Sequence, residues 1–213
     1  MPGSKRSSRC EALPPALDPY AVKIVVAGGF GVGKTTLVRS VSEIEPLTTE
    51  EVLTTASAGA DSLDGVEAKT TTTVSMDFGR ITLPGADEPD MVLMLFGTPG
   101  QPRFQFIWED VTAGAVGAVV LADTRRLAES FSSVAFFEDR DIPFAVAVNQ
   151  FEGSHRYRPE EVRAALELEP RVPVLLCDAR DESSVATVLI ALVAYAVTAA
   201  KSAQPSTPQG VLT

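Results

Sequence analysis

Residues 22–36 read VKIVVAGGFGVGKTT, and this stretch decides the fold. A β-branched apolar run, Val22–Ala27, flows directly into Gly28-Gly29-Phe30-Gly31-Val32-Gly33-Lys34-Thr35, the spacing of a phosphate-binding P-loop with a strand before it and a helix after it. Glycines let successive backbone N–H groups turn inward around phosphate oxygens without a Cβ in the way. Lys34 supplies a point charge for the β- and γ-phosphates, and the Thr35 hydroxyl is the expected Mg²⁺ ligand. Thr36 continues into a helix whose positive dipole end faces the anion. The ligand class is a nucleoside triphosphate; the base and the reaction have to come from elsewhere in the chain.

The 213 residues suit one α/β domain with a sizeable core. A net charge of −10 argues against nucleic acid as a partner, because phosphate backbones need a basic surface. Cys10 and Cys177 are too few for a disulfide framework, and no secretory signal is evident, so a cytoplasmic location is expected. Ser183–Ala200 carries no charge. It falls short of the roughly 20 apolar residues of a membrane span and is diluted by Ser, Thr and Ala. The expectation is a buried C-terminal helix covering one sheet face, with no intrinsic membrane span.

Strand-like runs fall at Val22–Ala27, Val74–Leu83, Met91–Phe96, Val116–Ala122, Phe144–Val148 and Val172–Leu176. Helical stretches fall at Lys34–Val41, Arg103–Thr112, Leu127–Asp139, Pro159–Leu168 and Glu182–Lys201. This alternation predicts a six-stranded, mostly parallel sheet with helices on both faces. The segment Pro84–Pro89 is too short for a crossover, so the second and third strands form an antiparallel hairpin. The expected organisation is a disordered tail over 1–20, a P-loop domain over 21–201 and a loose tail over 202–213. Ser42–Thr72 lacks a sustained apolar period and is long for a loop, as a nucleotide-sensing switch would be.

Four further segments stand at strand ends in a fixed order: Thr73-Val-Ser-Met-Asp-Phe78, Leu95-Phe-Gly-Thr-Pro-Gly-Gln-Pro-Arg-Phe104, Val148-Asn-Gln-Phe-Glu152 and Cys177-Asp-Ala-Arg180. Together with the P-loop they make residues 20–201 resemble the Ras-like small GTPases. The narrower resemblance is to the bacterial MglA-like branch and the GTPases of actinobacterial conservon operons. It implies a G domain that binds GTP and GDP with Mg²⁺ and hydrolyses GTP to GDP and phosphate. Thr73 stands at the first-switch threonine, ligating Mg²⁺ through its hydroxyl, although Thr70–Thr73 are all threonine and any could serve. Gly100 presents its N–H to the γ-phosphate, and Gln101 orients the attacking water, with Lys34 as the second catalytic residue.

Asn149, Gln150 and Glu152 stand where the family reads guanine. Glu152 accepts from the base N1–H and exocyclic amine, while Asn149 either meets the other edge or ties the loop to the P-loop. Gln150 replaces the lysine that usually covers the base. Asp178, Ala179 and Arg180 match the last motif, the Ala179 N–H reaching the guanine carbonyl. Two departures bear on the rate. Gly97 replaces the aspartate that holds Mg²⁺ through water, implying weaker magnesium retention. Phe30 occupies a position usually kept as glycine beside the γ-phosphate, implying slow turnover.

The resemblance also implies a roadblock-type regulatory partner and recruitment to a membrane complex with a sensor-kinase-like protein. Two other readings stay open: a nucleotide-binding module with little hydrolysis, and a P-loop ATPase. His155 is expected on the surface, Phe131, Phe136 and Phe137 in the core, and Trp108 either in the core or in a partner surface.

Overall fold

The computed structural model describes residues 18–54, 71–85 and 89–203. The tails lie mostly outside these residues, as do 55–70 in the middle of the expected switch loop. Elements run β1 (Tyr20–Ala27), α1 (Lys34–Val41), β2 (Leu47–Thr54), β3 (Thr71–Leu83) and β4 (Met91–Gly97), then a 3-10 turn (Pro102–Ile107) entering α2 (Trp108–Thr112). They continue with β5 (Gly117–Ala122), a 3-10 segment (Thr124–Ser130), α3 (Phe131–Glu138), β6 (Phe144–Asn149), α4 (Pro159–Ala165), β7 (Val174–Cys177) and α5 (Glu182–Ala203).

One sheet joins the strands in the order β2-β3-β4-β1-β5-β6-β7. Strands β4, β1, β5, β6 and β7 are parallel, and β3 pairs antiparallel with β4, as the short connection requires. The expected architecture holds, but the strand count was short by one. The additional strand β2 pairs antiparallel with β3 at the sheet edge. Its sequence, LTTEEVLT, is polar and carries no apolar period; charge on an edge strand blunts further pairing.

Alternation along the central strands splits the core in two. Val25, Ala27, Ala118, Val120, Ala122, Phe144, Val146 and Val148 face the layer of α2, α3 and α4. Ile24, Val26, Val119, Leu121, Ala145 and Ala147 face α1 and α5. Strands buried on both faces carry these near-continuous apolar runs. The expected helices shorten: α4 stops at Ala165, with Glu167 in the left-handed region at φ 55°. Helix α5 buries Val185, Val188, Leu189 and Leu192 but leaves Ile190 and Val197 exposed, so it is buried on one side only. By length and composition alone it could cross a membrane, yet its inner side is part of the domain core.

Candidate functional site

The carboxyl ends of β1, β4 and β6 point to one rim of the sheet. The helices after β1 and β5 leave that rim toward opposite faces, opening the crevice where parallel α/β sheets bind ligands. The P-loop turns there through Gly33, whose φ of 106° suits only glycine and whose Cβ would come within 2.8 Å of Asn149 Nδ2. A cavity of about 390 Å³ follows, lined by Lys34, Thr35, Thr36, Asp77, Gly100 and Gln101 among others. A second of about 130 Å³ is lined by Asn149, Gln150, Glu152, Asp178, Ala179 and Arg180, and shares Gly33 and Thr36 with the first. The five sequence segments therefore converge on one two-part site.

Lys34 is buried at the mouth of α1. Its Nζ donates to the carbonyls of Gly28 at 2.9 Å and Gly29 at 2.8 Å. Burial pulls its pKa down from 10.5 to about 8, opposed by the charges of Asp77 and Glu129. Gly100 is laid against this lysine so closely that a Cβ there would sit 2.8 Å from Gly29 O.

Asp77, which the motif reading passed over, supplies the site's carboxylate. It is 5% exposed and its Oδ2 accepts the Thr35 hydroxyl at 2.6 Å. Strand register places it opposite Gly97, where a Cβ would meet Asp77 Oδ2 at 3.2 Å. The departure at Gly97 thus makes room for a carboxylate from the neighbouring strand, which offsets the anion expected to be missing. Its signal was present in the sequence: a lone acid at an inward position of an alternating strand.

Hydroxyl and carboxylate oxygens, with no sulfur or imidazole, fit a hard divalent cation that keeps much of its water. Among the described residues no cluster of three or more acids, His or Cys offers an all-protein metal cage. Thr73, expected just before its strand, lies inside β3 opposite Val52, because β3 begins at Thr71.

Gln101 lines the larger cavity together with Phe30, whose ring is 65% exposed. The switch segment after Gln101 is anchored by Trp108, which is buried and donates its indole N–H to Pro99 O at 3.2 Å. Trp108 is thus a core contact, with Phe136 and Phe137 against it, while Phe131 is exposed rather than core. His155 is exposed beside Tyr157.

In the smaller cavity Asn149 ties the loops together: Nδ2 donates to Val32 O at 2.9 Å and Oδ1 accepts from Ala179 N at 3.1 Å. Of its two readings, the tie to the P-loop is the one observed. The Ala179 N–H expected at the base carbonyl is donated to Asn149 Oδ1. Arg180 folds onto Asp178 at 2.8 Å and holds that carboxyl down at about 2. The guanidinium of Arg125, outside every motif, stacks 3.9 Å over the Phe151 ring and roofs the base loop.

Comparison with known proteins places this site in a family. The model of a family described as "conserved hypothetical ATP binding protein" matches residues 26–199. An uncharacterized protein of Methanocaldococcus jannaschii is 30% identical over 131 residues, 61% of this chain and 70% of that protein. Among solved structures, the G domain of the T. maritima FeoB iron transporter aligns with a TM-score of 0.55 at 17% identity, covering 83% of this chain and 99% of that one. The cytosolic domain of the same transporter in apo form aligns with a TM-score of 0.58 at 16% identity, covering 91% of this chain and 68% of that one. At these identities the structural likeness concerns the fold, a P-loop G-domain fold.

Proposed function

The chain belongs to the family of conserved hypothetical ATP-binding proteins, and from that premise we propose that it is a guanine-nucleotide switch that hydrolyses GTP slowly. The nucleotide-binding P-loop domain is common ground; the guanine assignment rests on Glu152 beside the smaller cavity. A carboxylate there can accept from guanine N1–H and the exocyclic amine together, and adenine has no such pair of donors on that edge. Lys34, Thr35 and Asp77 hold the triphosphate and Mg²⁺, and Gln101 orients the attacking water. A divalent cation held by Thr35 and Asp77 would supply charge neutralisation at the phosphates. The residues' own contribution is positioning and charge stabilisation.

Phe30 shares its cavity with Gln101, and a bulky side chain at a position usually kept as glycine supports a rate at or below roughly 10⁻⁴ s⁻¹, the slow intrinsic rate of Ras. Resemblance to the MglA-like and conservon branches supports a bacterial signalling role, with a roadblock-type partner and peripheral recruitment to a membrane sensor-kinase-like complex.

The family's description favours a second reading, a P-loop ATPase. Competition decides between them: GTP and unlabelled GDP should displace a fluorescent GDP from the purified protein, and ATP should not. Glu152→Ala should remove most of that discrimination. ATP competing as well as GTP against the wild-type protein would overturn the guanine reading and establish the ATPase one.

A further inference from the structure

Strand β5 lies between β1 and β6 in the sheet. The chain leaving its carboxyl end therefore emerges between the P-loop, which follows β1, and the base loop, which follows β6. The first residue out is Asp123, a carboxylate only 3% exposed. A charge buried that far has to be paired, and its partners are two consecutive arginines. Asp123 Oδ1 accepts from the Arg125 backbone N–H and from Arg125 Nε, both at 2.9 Å, while Oδ2 accepts from Nη2 of the same guanidinium at 2.7 Å. Arg126 Nη2 stands 3.6 Å from Oδ2.

At Arg126 the backbone departs from the 3-10 path, with φ −143° and ψ 44°, and the two guanidiniums end on different loops. Arg125 Cζ lies 3.9 Å over the Phe151 ring, and Phe151 lines the smaller cavity together with Gln150 and Glu152. Thr124 adds a hydroxyl hydrogen bond to the His155 carbonyl at 3.3 Å, farther along the same loop. Arg126 Nη2 instead donates to the Phe30 carbonyl at 3.0 Å. A trans peptide points its C=O and N–H in opposite directions. Drawing the Phe30 carbonyl toward Arg126 therefore sets the Gly31 N–H on the far side, and Gly31 lines the larger cavity.

We propose that Asp123 is a positioning residue for the nucleotide. Through Arg125 it fixes Phe151 and the base loop, and through Arg126 it fixes the Phe30–Gly31 peptide of the P-loop. This role rests on the reading of the two cavities as base and phosphate pockets, and it holds whichever base is bound. The gain comes from order established before binding: a guanidinium already clamped by a carboxylate holds its loop without a further entropy cost when the nucleotide arrives.

Arg125 and Arg126 are 48% and 43% exposed, so their alanine variants leave the core intact. Fluorescent GDP and fluorescent ADP titrated into the full-length chain read the affinity, the wild type showing which base is held and the variants the effect on that nucleotide. Arg125→Ala and Arg126→Ala should each weaken it about threefold or more. Arg125→Lys should recover most of the first loss, since an ammonium also sits favourably over an aromatic ring. In a Phe151→Ala background, Arg125→Ala should cost nothing further, as holds when one residue acts through another. A structural role alone would lower the ligand-free Tm and leave the affinity of the folded chain unchanged. That result, or an equal loss from Arg125→Ala with and without the Phe151 ring, overturns the proposal. The guanine assignment fails separately, by the wild type holding ADP as tightly as GDP.

Discussion

Lys34 carries its charge into a place where burial works against it. A pKa of about 8 in the fold, against about 10.4 in an unfolded chain, means that between these values the unfolded state binds the extra proton. Stability contributed by this group therefore rises with pH through that window, and the full penalty of the buried charge is present below pH 8. Triphosphate reverses the sign by pairing with the ammonium. Affinity for GTP should be insensitive to this group below pH 8 and fall about tenfold per unit above it, until the bound-state pKa is reached. Titrations of nucleotide affinity from pH 7 to 10 check this, and Lys34→Arg, always charged, should flatten the profile. Asp77 gives a second residue-scale test. Its carboxylate orients Thr35 and stands where the motif would place none, so Asp77→Ala should weaken Mg²⁺ retention about 10–100-fold. The concentration of Mg²⁺ needed to slow nucleotide release reads this directly, and an unchanged requirement would remove Asp77 from the metal site.

At the scale of elements, two loops bear on the rate from opposite directions. The P-loop brings Phe30 into the cavity, and the segment between β4 and the 3-10 turn brings Gln101. Phe30→Gly should leave nucleotide binding intact and raise single-turnover hydrolysis, whereas Gln101→Leu should lower it. Equal rates for wild type and Gln101→Leu would make the loop a nucleotide reader without a catalytic glutamine.

How far these elements were legible depended on what their residues bury. The central strands β1, β5 and β6 are buried on both faces and announce themselves as unbroken apolar runs. The sequence of β2 is polar and the 3-10 segment Thr124–Ser130 carries no helical period, so neither the edge strand nor the break before Phe131 is legible. The site was legible where chemistry demands fixed spacing within one loop, as from Gly28 to Thr35. Asp77 was not, because its partners Thr35 and Gly97 come together only through strand register. Arg125 was missed for a similar reason, since its stacking on Phe151 joins loops after different strands.

The whole molecule places its two-part site across the middle of the sheet, with the residues proposed for the phosphates carried by β1, β3 and β4 and those proposed for the base by β6 and β7. Asn149, bonded to both Val32 and Ala179, links these halves. A nucleotide spanning both cavities binds the folded state alone, so at 100 times its Kd it adds about 2.7 kcal/mol of stability. For a domain of this length each kcal/mol moves Tm by about 2–4 °C, which gives a rise of roughly 5–11 °C. GDP and GTP should produce that shift with Mg²⁺ present. Lys34→Ala should abolish it while leaving the ligand-free Tm unchanged or higher, because burial costs this charge more than the carbonyls of Gly28 and Gly29 and the charges of Asp77 and Glu129 return. That combination separates a ligand-facing lysine from a structural one. A Lys34→Ala variant with a lowered ligand-free Tm and an intact nucleotide shift would mean that the lysine serves the fold and the phosphates are held by the loop backbone.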